Sequence, residues 1–106
     1  MTQALFICGK ARMRSPTAAD IVADWESVQS DFAGVSHDAD EKISSEHIEW
    51  ADVIYVMESR QKKRLLALFG PLLKAKRVVN LAIPDVYSYM QPELVTLLTQ
   101  KLRSLR

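Results

Sequence analysis

The sequence predicts a single α/β domain in which helices cover both faces of a four-stranded parallel sheet. Short apolar runs alternate with helical patterns along the chain, as in consecutive βαβ units. One run, Val53–Met57, is continuously apolar and β-branched, which is typical of a strand buried on both faces. The 106 residues suffice for one hydrophobic core, and no linker or repeat divides them. We therefore expect residues 1–106 to form one domain.

The first half of the chain supplies two strands and one helix. The apolar run Ala4–Ile7 predicts the first strand. Ser15, followed by proline, is a good helix start, and apolar residues at helical spacing extend the predicted helix to Trp25. A short second strand is expected at Asp31–Val35, followed by a polar loop at Ser36–Lys42.

The second half contains three helical patterns around the third and fourth strands. A short helix is predicted at Ser44–Ala51, and a basic one runs from Ser59 as its cap to Phe69, before a Gly-Pro pair. Val78–Leu81 predicts the fourth strand, and Ile83–Tyr89 is expected to be extended or turning. Pro92 opens a final helix with a leucine stripe that continues to the chain end.

Composition excludes several classes of function. A net charge of +1 gives no reason to expect a nucleic-acid or membrane partner, and it predicts no oligomeric state. The single cysteine excludes an intramolecular disulfide and fits a reducing compartment. His37 and His47 lack ligand-like spacing, so we expect no metal and no cofactor. Because the N-terminus carries no basic region and no apolar run is of membrane-spanning length, we expect a cytoplasmic protein.

The segment between the first strand and the first helix concentrates the reactive side chains. Backbone N–H groups of a loop that enters a helix converge into an anion-binding nest. Arg14, six residues after Cys8, adds a bidentate cation suited to tetrahedral oxyanions. The same positive field favours the thiolate of Cys8, and Ser15 can either cap the helix or donate a hydrogen bond to that thiolate. The sequence thus predicts a phosphate-binding loop.

A nucleophile at the base of a phosphate cradle indicates attack on phosphorus and a phosphocysteine intermediate. The alternative is structural: Cys8 would be a buried residue at a strand end and Arg14 a surface charge. The buried strand before the loop and the helix start after it favour the functional interpretation.

Four blocks of the chain, in order, resemble the low-molecular-weight protein tyrosine phosphatases. The first is the Cys-x5-Arg-Ser-Pro motif of Cys8–Pro16, and Asp31–Val35 resembles the family's second strand. Trp50–Glu58 is similar to the Ala-Asp strand that ends in Met-Asp, and Ile83–Tyr87 is similar to the acid loop. The blocks cover most of the chain, which would be a short, divergent member.

The resemblance implies a phosphatase and assigns roles to its residues. Cys8 becomes the nucleophile, Arg14 the phosphate ligand, and Asp85 the general acid and then the base; otherwise Asp85 is a turn residue after proline. For Tyr87 two positions stay open, one in the wall of the cleft and one at the edge of the core. The residues expected to contact the substrate are Gly9, Lys10, Ala11, Arg12, Met13, Ser15 and Tyr87.

The chain departs from the family pattern within the loop itself. Ala11 stands where asparagine, which tolerates a left-handed backbone, is usual, and Met13 replaces a second cysteine. The segment from Val35 to Ser44 is short, which predicts an open cleft, and Lys10 and Arg12 add positive charge. Lys62, Lys63 and Arg64 are interpreted as a solvated helix face.

Three functions are therefore weighed. The leading one is a phosphatase acting on a phosphorylated protein or a small phosphomonoester, and the substrate is open among phosphotyrosine, phosphoarginine and small esters. A pseudophosphatase that binds phosphate without turnover is the alternative, because Ala11 lacks the hydrogen bonds of asparagine. An arsenate reductase is disfavoured, because its disulfide cascade needs further cysteines.

Overall fold

The protein is built on a parallel sheet with helices on its two faces, in a computed structural model that describes residues 1–105. The strands are β1 (Thr2–Cys8), β2 (Val28–Gly34), β3 (Val53–Val56) and β4 (Arg77–Asn80). The helices are α1 (Arg14–Val22), α2 (Ser45–Trp50), α3 (Ser59–Leu73) and α4 (Pro92–Lys101), followed by a 3-10 turn at Arg103–Leu105. The strand order is β2-β1-β3-β4, and every pairing is parallel.

Successive side chains of β1 point to opposite faces of the sheet, so the strand contributes to two cores. Ala4 and Phe6 pack with side chains of α1 and α4, including the predicted leucine stripe. Leu5 and Ile7 pack on the other face with side chains of α2 and α3. All four residues are fully buried, which confirms a sheet covered on both faces. None of the helices in residues 1–105 has the length and apolar character of a membrane span.

Element boundaries differ most from the prediction around α1 and β2. The helix ends at Val22 rather than Trp25, because the Trp25 N–H turns back to the Val22 carbonyl at 2.9 Å. The strand starts at Val28, three residues before Asp31, and pairs with the whole of β1. Sequence patterning missed this start because β2 is an edge strand whose first half carries three consecutive polar residues, Gln29–Asp31.

Helix α3 begins with a different cap from the one predicted. Its N-cap is Glu58, not Ser59, and the Glu58 and Gln61 side chains satisfy each other's backbone N–H groups as a capping box. The predicted break at Phe69 is present as a kink with φ −135°, but a further helical turn containing Pro71 follows. Proline fits there because the first turn after a kink needs no N–H from it. The predicted Ser44 cap of α2 is confirmed.

Candidate active site

The loop between β1 and α1, residues Cys8–Arg14, is folded around the thiol; we call it the Cys8 loop. Cys8 is 3% exposed, and its Sγ accepts the Ala11 N–H at 3.2 Å and lies 3.0 Å from Ser15 Oγ. Ser15 is not the helix cap, because α1 already begins at Arg14 with Met13 as its N-cap. The serine hydroxyl instead faces the sulfur, which is the other role considered for it.

Ala11 adopts a left-handed backbone conformation, at the position where asparagine is usual in the family that the sequence resembles. Its φ is 60°, and its side chain is buried. An L-residue with a Cβ loses about 1 kcal/mol there relative to the right-handed region. The conformation aims the Ala11 N–H at the Cys8 sulfur, so this strained residue contributes a donor to the site even without an asparagine side chain.

The loop after β2 braces the Cys8 loop from one side. The Ser36 N–H donates to the Gly9 carbonyl, and the Asp40 N–H donates to the Lys10 carbonyl, each at 2.9 Å. Gly34 permits this approach, because a Cβ on it would lie 2.4 Å from the Gly9 carbonyl oxygen. The short segment after β2, which we expected to leave the cleft open, therefore fixes the shape of the Cys8 loop.

Arg14 is 2% exposed and is held by groups from the ends of two other strands. Its Nη1 donates to Glu58 Oε1 at 2.6 Å and to the Ile83 carbonyl at 2.8 Å. The hydrogen bond from Arg14 holds the pKa of Glu58 below its ordinary value. Sequence reasoning missed Glu58 as a site residue, although its position directly after β3 was the available signal.

Asp85 lies across the cleft from the Cys8 loop on the segment Ala82–Tyr89, which we call the Asp85 loop. Its Oδ1 is 3.7 Å from Arg14 Nε, and its side chain is 60% exposed. The loops after β1 and β4 meet as expected from the sheet edge, although β3 lies between their strands. The three residues predicted to be catalytic, Cys8, Arg14 and Asp85, thus line one cleft.

Neither tyrosine of the Asp85 loop lines that cleft. Tyr87 packs at the edge of the core formed with α1 and α4, and it borders a separate depression beside α4. Tyr89 donates a short hydrogen bond to Asp20, which raises the pKa of the tyrosine. The predicted contact between Tyr87 and the substrate is therefore not supported by its position, because the ring is turned toward α4.

The cleft has a volume of about 640 Å³ and two differently built walls. The predicted loop residues that line it are Cys8, Gly9, Lys10, Arg12, Met13 and Arg14, whereas Ala11 is buried behind them. The opposite wall is the start of α3, with Arg60, Gln61 and Arg64. Arg64 was interpreted as part of a solvated helix face; it is exposed, as expected, and it also borders the cleft.

The positive charge predicted for the Cys8 loop is matched by carboxylates. Lys10 Nζ lies 3.3 Å from Asp38 Oδ2, and Arg12 Nε donates to Asp40 Oδ2 at 3.0 Å. Hydrogen bonds from Ser36 and then from Lys10 lower the pKa of Asp38 to about 2. The two basic side chains therefore do not supply the excess charge that the sequence suggested.

The chain shares its fold with many solved structures. A low molecular weight protein tyrosine phosphatase from Streptococcus pyogenes aligns with a TM-score of 0.79 and 14% identity, over 98% of this chain and 90% of that one. The YwlE arginine phosphatase from Geobacillus stearothermophilus aligns with a TM-score of 0.73 and 20% identity, over 98% of this chain and 94% of that one. A low molecular weight phosphotyrosine phosphatase from Vibrio cholerae aligns with a TM-score of 0.79 and 16% identity, over 99% of this chain and 94% of that one. No family model and no curated protein matches the sequence.

These alignments establish that the chain shares an α/β fold with solved phosphatase structures over nearly its whole length. More narrowly, the fold is that of the low-molecular-weight protein tyrosine phosphatases, with a four-stranded parallel sheet and helices on both faces. The fold implied by the four sequence blocks is confirmed.

Proposed function

We propose that the protein is a cysteine-dependent phosphomonoester hydrolase of the protein-tyrosine-phosphatase type. The observation that carries the proposal is the convergence of a buried thiol and a buried guanidinium on one anion cradle. Cys8 Sγ receives the Ala11 N–H, and Arg14 is held beside it by Glu58 and the Ile83 carbonyl. Such a fixed set of donors binds the equatorial oxygens of a phosphoryl group.

In the first step the Cys8 thiolate attacks phosphorus. A P–S bond forms as the P–O bond to the leaving group breaks, and Asp85 transfers its proton to the departing oxygen. The loop N–H groups and Arg14 stabilise the charge on the three equatorial oxygens. The product of this step is phosphocysteine and the free alcohol or phenol.

In the second step water releases the phosphate. Asp85, now a carboxylate, takes a proton from the water as its oxygen attacks phosphorus, and the P–S bond breaks. The departing thiolate is stabilised by the Ala11 N–H and by the Ser15 hydroxyl, 3.0 Å from the sulfur. Inorganic phosphate leaves, and Asp85 is protonated again for the next cycle.

Asp85 must exchange its partner during this cycle. Its carboxylate is within ion-pair distance of Arg14 Nε, at 3.7 Å. A bound phosphoryl group would take over Arg14, and the exposed carboxyl group would turn to the leaving-group oxygen. The exposure of Asp85 supports this role, because an exposed side chain can reorient without disturbing the core.

The neighbours named above act on phosphotyrosine or phosphoarginine, and we propose phosphorylated proteins or small phosphomonoesters as substrates here. A catalytic thiol without a second cysteine needs a reducing compartment, so we place the protein in the cytoplasm. The strained Ala11 favours one other candidate, a module that binds phosphate without turnover, because its side chain offers the loop no hydrogen bond.

Hydrolysis of p-nitrophenyl phosphate by the wild-type chain and by Cys8→Ser tests the proposal. We expect wild-type turnover and a loss of at least about 10³-fold in the variant, because the hydroxyl is a much weaker nucleophile. Equal activity in Cys8→Ser would contradict the mechanism. Thermal stabilisation by inorganic phosphate with no turnover of any aryl phosphate would favour the binding module instead.

A further inference from the structure

The wall of the cleft formed by α3 carries polar groups that the proposed chemistry does not use. Arg60 and Gln61 line it from the first turn of α3, and Arg64 lines it from one helical turn further on. None of them bonds directly to the Cys8 thiol or to the Arg14 guanidinium, which have other partners.

Gln61 presents a donor without an acceptor. Its side chain is 2% exposed, and its Oε1 accepts the N–H groups of Met57 and Glu58, each at 2.9 Å. These two donors fix the orientation of the amide and identify Nε2 as its free donor, and Gln61 is one of the residues that line the cleft. Within residues 1–105, Nε2 has no hydrogen-bond acceptor. A buried donor of this kind needs an acceptor, which an ordered water or an anionic ligand would supply.

Arg64 presents a charge without a partner. The other cations of the cleft are each paired: Lys10 with Asp38, Arg12 with Asp40, Arg14 with Glu58 and Asp85, and Arg60 with Glu58. No ion pair or hydrogen bond joins Arg64 to another side chain in the described part of the chain. The unmatched positive charge of the cleft is therefore at Arg64, beside the free donor of Gln61.

The local sequence carries an energetic cost at this wall. Arg60 and Arg64 carry like charges at i, i+4, and of the two only Arg60 is paired, with the N-cap Glu58. Lys62 and Lys63 add further positive charge, and the carboxylate of Glu58 is already bonded to Arg14 and Arg60. An anion bound between Arg64 and Gln61 would offset this repulsion.

We propose that Gln61 and Arg64 form a second anion subsite on the wall of the cleft formed by α3. Its ligand is a negatively charged group next to the scissile phosphate, either a carboxylate or a second phosphate. This inference rests on the proposed function and narrows its substrates to phosphomonoesters with a second anionic group. Phosphotyrosine peptides with adjacent acidic residues belong to this class.

The test compares kcat/KM for three phosphotyrosine peptides that differ only beside the phosphotyrosine. One carries glutamates there, one glutamines, and one a phosphoserine, so that the carboxylate and phosphate sources are separated. We expect the wild-type protein to prefer an anionic peptide over the glutamine peptide by about five- to tenfold, as for a charge-assisted contact at a partly exposed site. Arg64→Gln is expected to reduce this ratio to about twofold or less.

Two further variants make the result specific. Gln61→Glu keeps the oxygen that caps α3 but replaces the donor by an anion, so it is expected to lower the ratio as well. Lys63→Gln removes the same charge as Arg64→Gln from the same helix without changing a residue that lines the cleft, and it should keep the wild-type ratio. A wild-type ratio near one, or equal losses in the Arg64 and Lys63 variants, would overturn the subsite.

Failure of the subsite can be told apart from failure of the proposed function. If no peptide is hydrolysed in a Cys8-dependent manner, the proposed function fails, and the same peptides are compared by equilibrium binding with fluorescence anisotropy. The subsite then predicts the same preference in Kd and the same dependence on Arg64. Equal Kd values for the anionic and glutamine peptides would contradict it.

Discussion

The Cys8 loop and the Asp85 loop leave the same edge of the sheet but are built in opposite ways. The Cys8 loop buries Cys8, Ala11 and Arg14, it is tied to the segment after β2, and Arg14 is bonded to groups that follow β3 and β4. The Asp85 loop exposes Asp85 and Val86, and the carboxylate of Asp85 has one contact, at 3.7 Å. Under the proposed function, the anion site is thus formed before substrate arrives, whereas the proton donor is positioned only loosely.

Because the two loops differ in this way, substitutions in them should affect stability and turnover differently. Changes in the Cys8 loop should affect both the free energy of unfolding and turnover, because the donors that bind the anion also hold the strand ends together. Changes at Asp85 should affect turnover alone. The predictions below test this separation.

The largest combined effect is expected for Arg14→Met. It removes the donor to Glu58 and to the Ile83 carbonyl and leaves both acceptors without it. We expect kcat/KM to fall by about 10³-fold or more and the free energy of unfolding by about 1–3 kcal/mol. Aryl phosphate kinetics and urea unfolding measure the two effects. Arg14→Lys is the control, and it should recover more stability than activity, because lysine keeps the charge but not the planar fork.

Asp85→Asn should reduce turnover without affecting stability. The amide cannot protonate the leaving group, so kcat should fall by about 10²- to 10⁴-fold, while the free energy of unfolding stays within about 0.5 kcal/mol. The loss should be smaller for substrates whose leaving group has a low pKa, because these need less protonation. A loss that is independent of leaving-group pKa would remove Asp85 from the role of general acid.

Glu58→Gln should show a pH-dependent loss of stability. Because Arg14 lowers the pKa of Glu58 in the folded protein, this carboxylate stabilises the fold above its ordinary value of 4.5 and stops doing so as pH falls through the lowered value. Urea unfolding should show the variant less stable by about 1–2 kcal/mol near neutral pH and closer to the wild type in acid. Glu26→Gln, on an exposed turn, is the matched control, and a gap that does not narrow in acid would contradict the pairing with Arg14.

Ala11→Gly should give the smallest effect, with the opposite sign. Glycine adopts φ 60° without steric cost, so the variant is expected to gain about 1 kcal/mol in the free energy of unfolding. Ala67→Gly in the exposed part of α3 is the matched control and should lose about as much. Equal losses in both variants would show that the backbone of Ala11 carries no strain.

The sequence predicted the parts of the site that depend on local order along the chain. The alternation of apolar runs gave the sheet, and the spacing of Cys8 and Arg14 around a strand–helix junction gave the anion loop. Glu58 and Gln61 were missed because their roles depend on β3 lying beside β1, which no local pattern specifies. Tyr87 was misplaced for a related reason, because the side of the loop to which a ring turns depends on how α4 packs.

The central claim is that Cys8 carries the phosphoryl group during turnover, and trapping the intermediate tests it most directly. The wild-type protein is mixed with a phosphotyrosine peptide and quenched in acid at increasing times, and its proteolytic fragments are analysed by mass spectrometry. The proposed mechanism predicts one phosphoryl group on the peptide that contains Cys8. This species should form and decay with rate constants no smaller than kcat. Turnover without that species, or with the phosphoryl group on another residue, would contradict it.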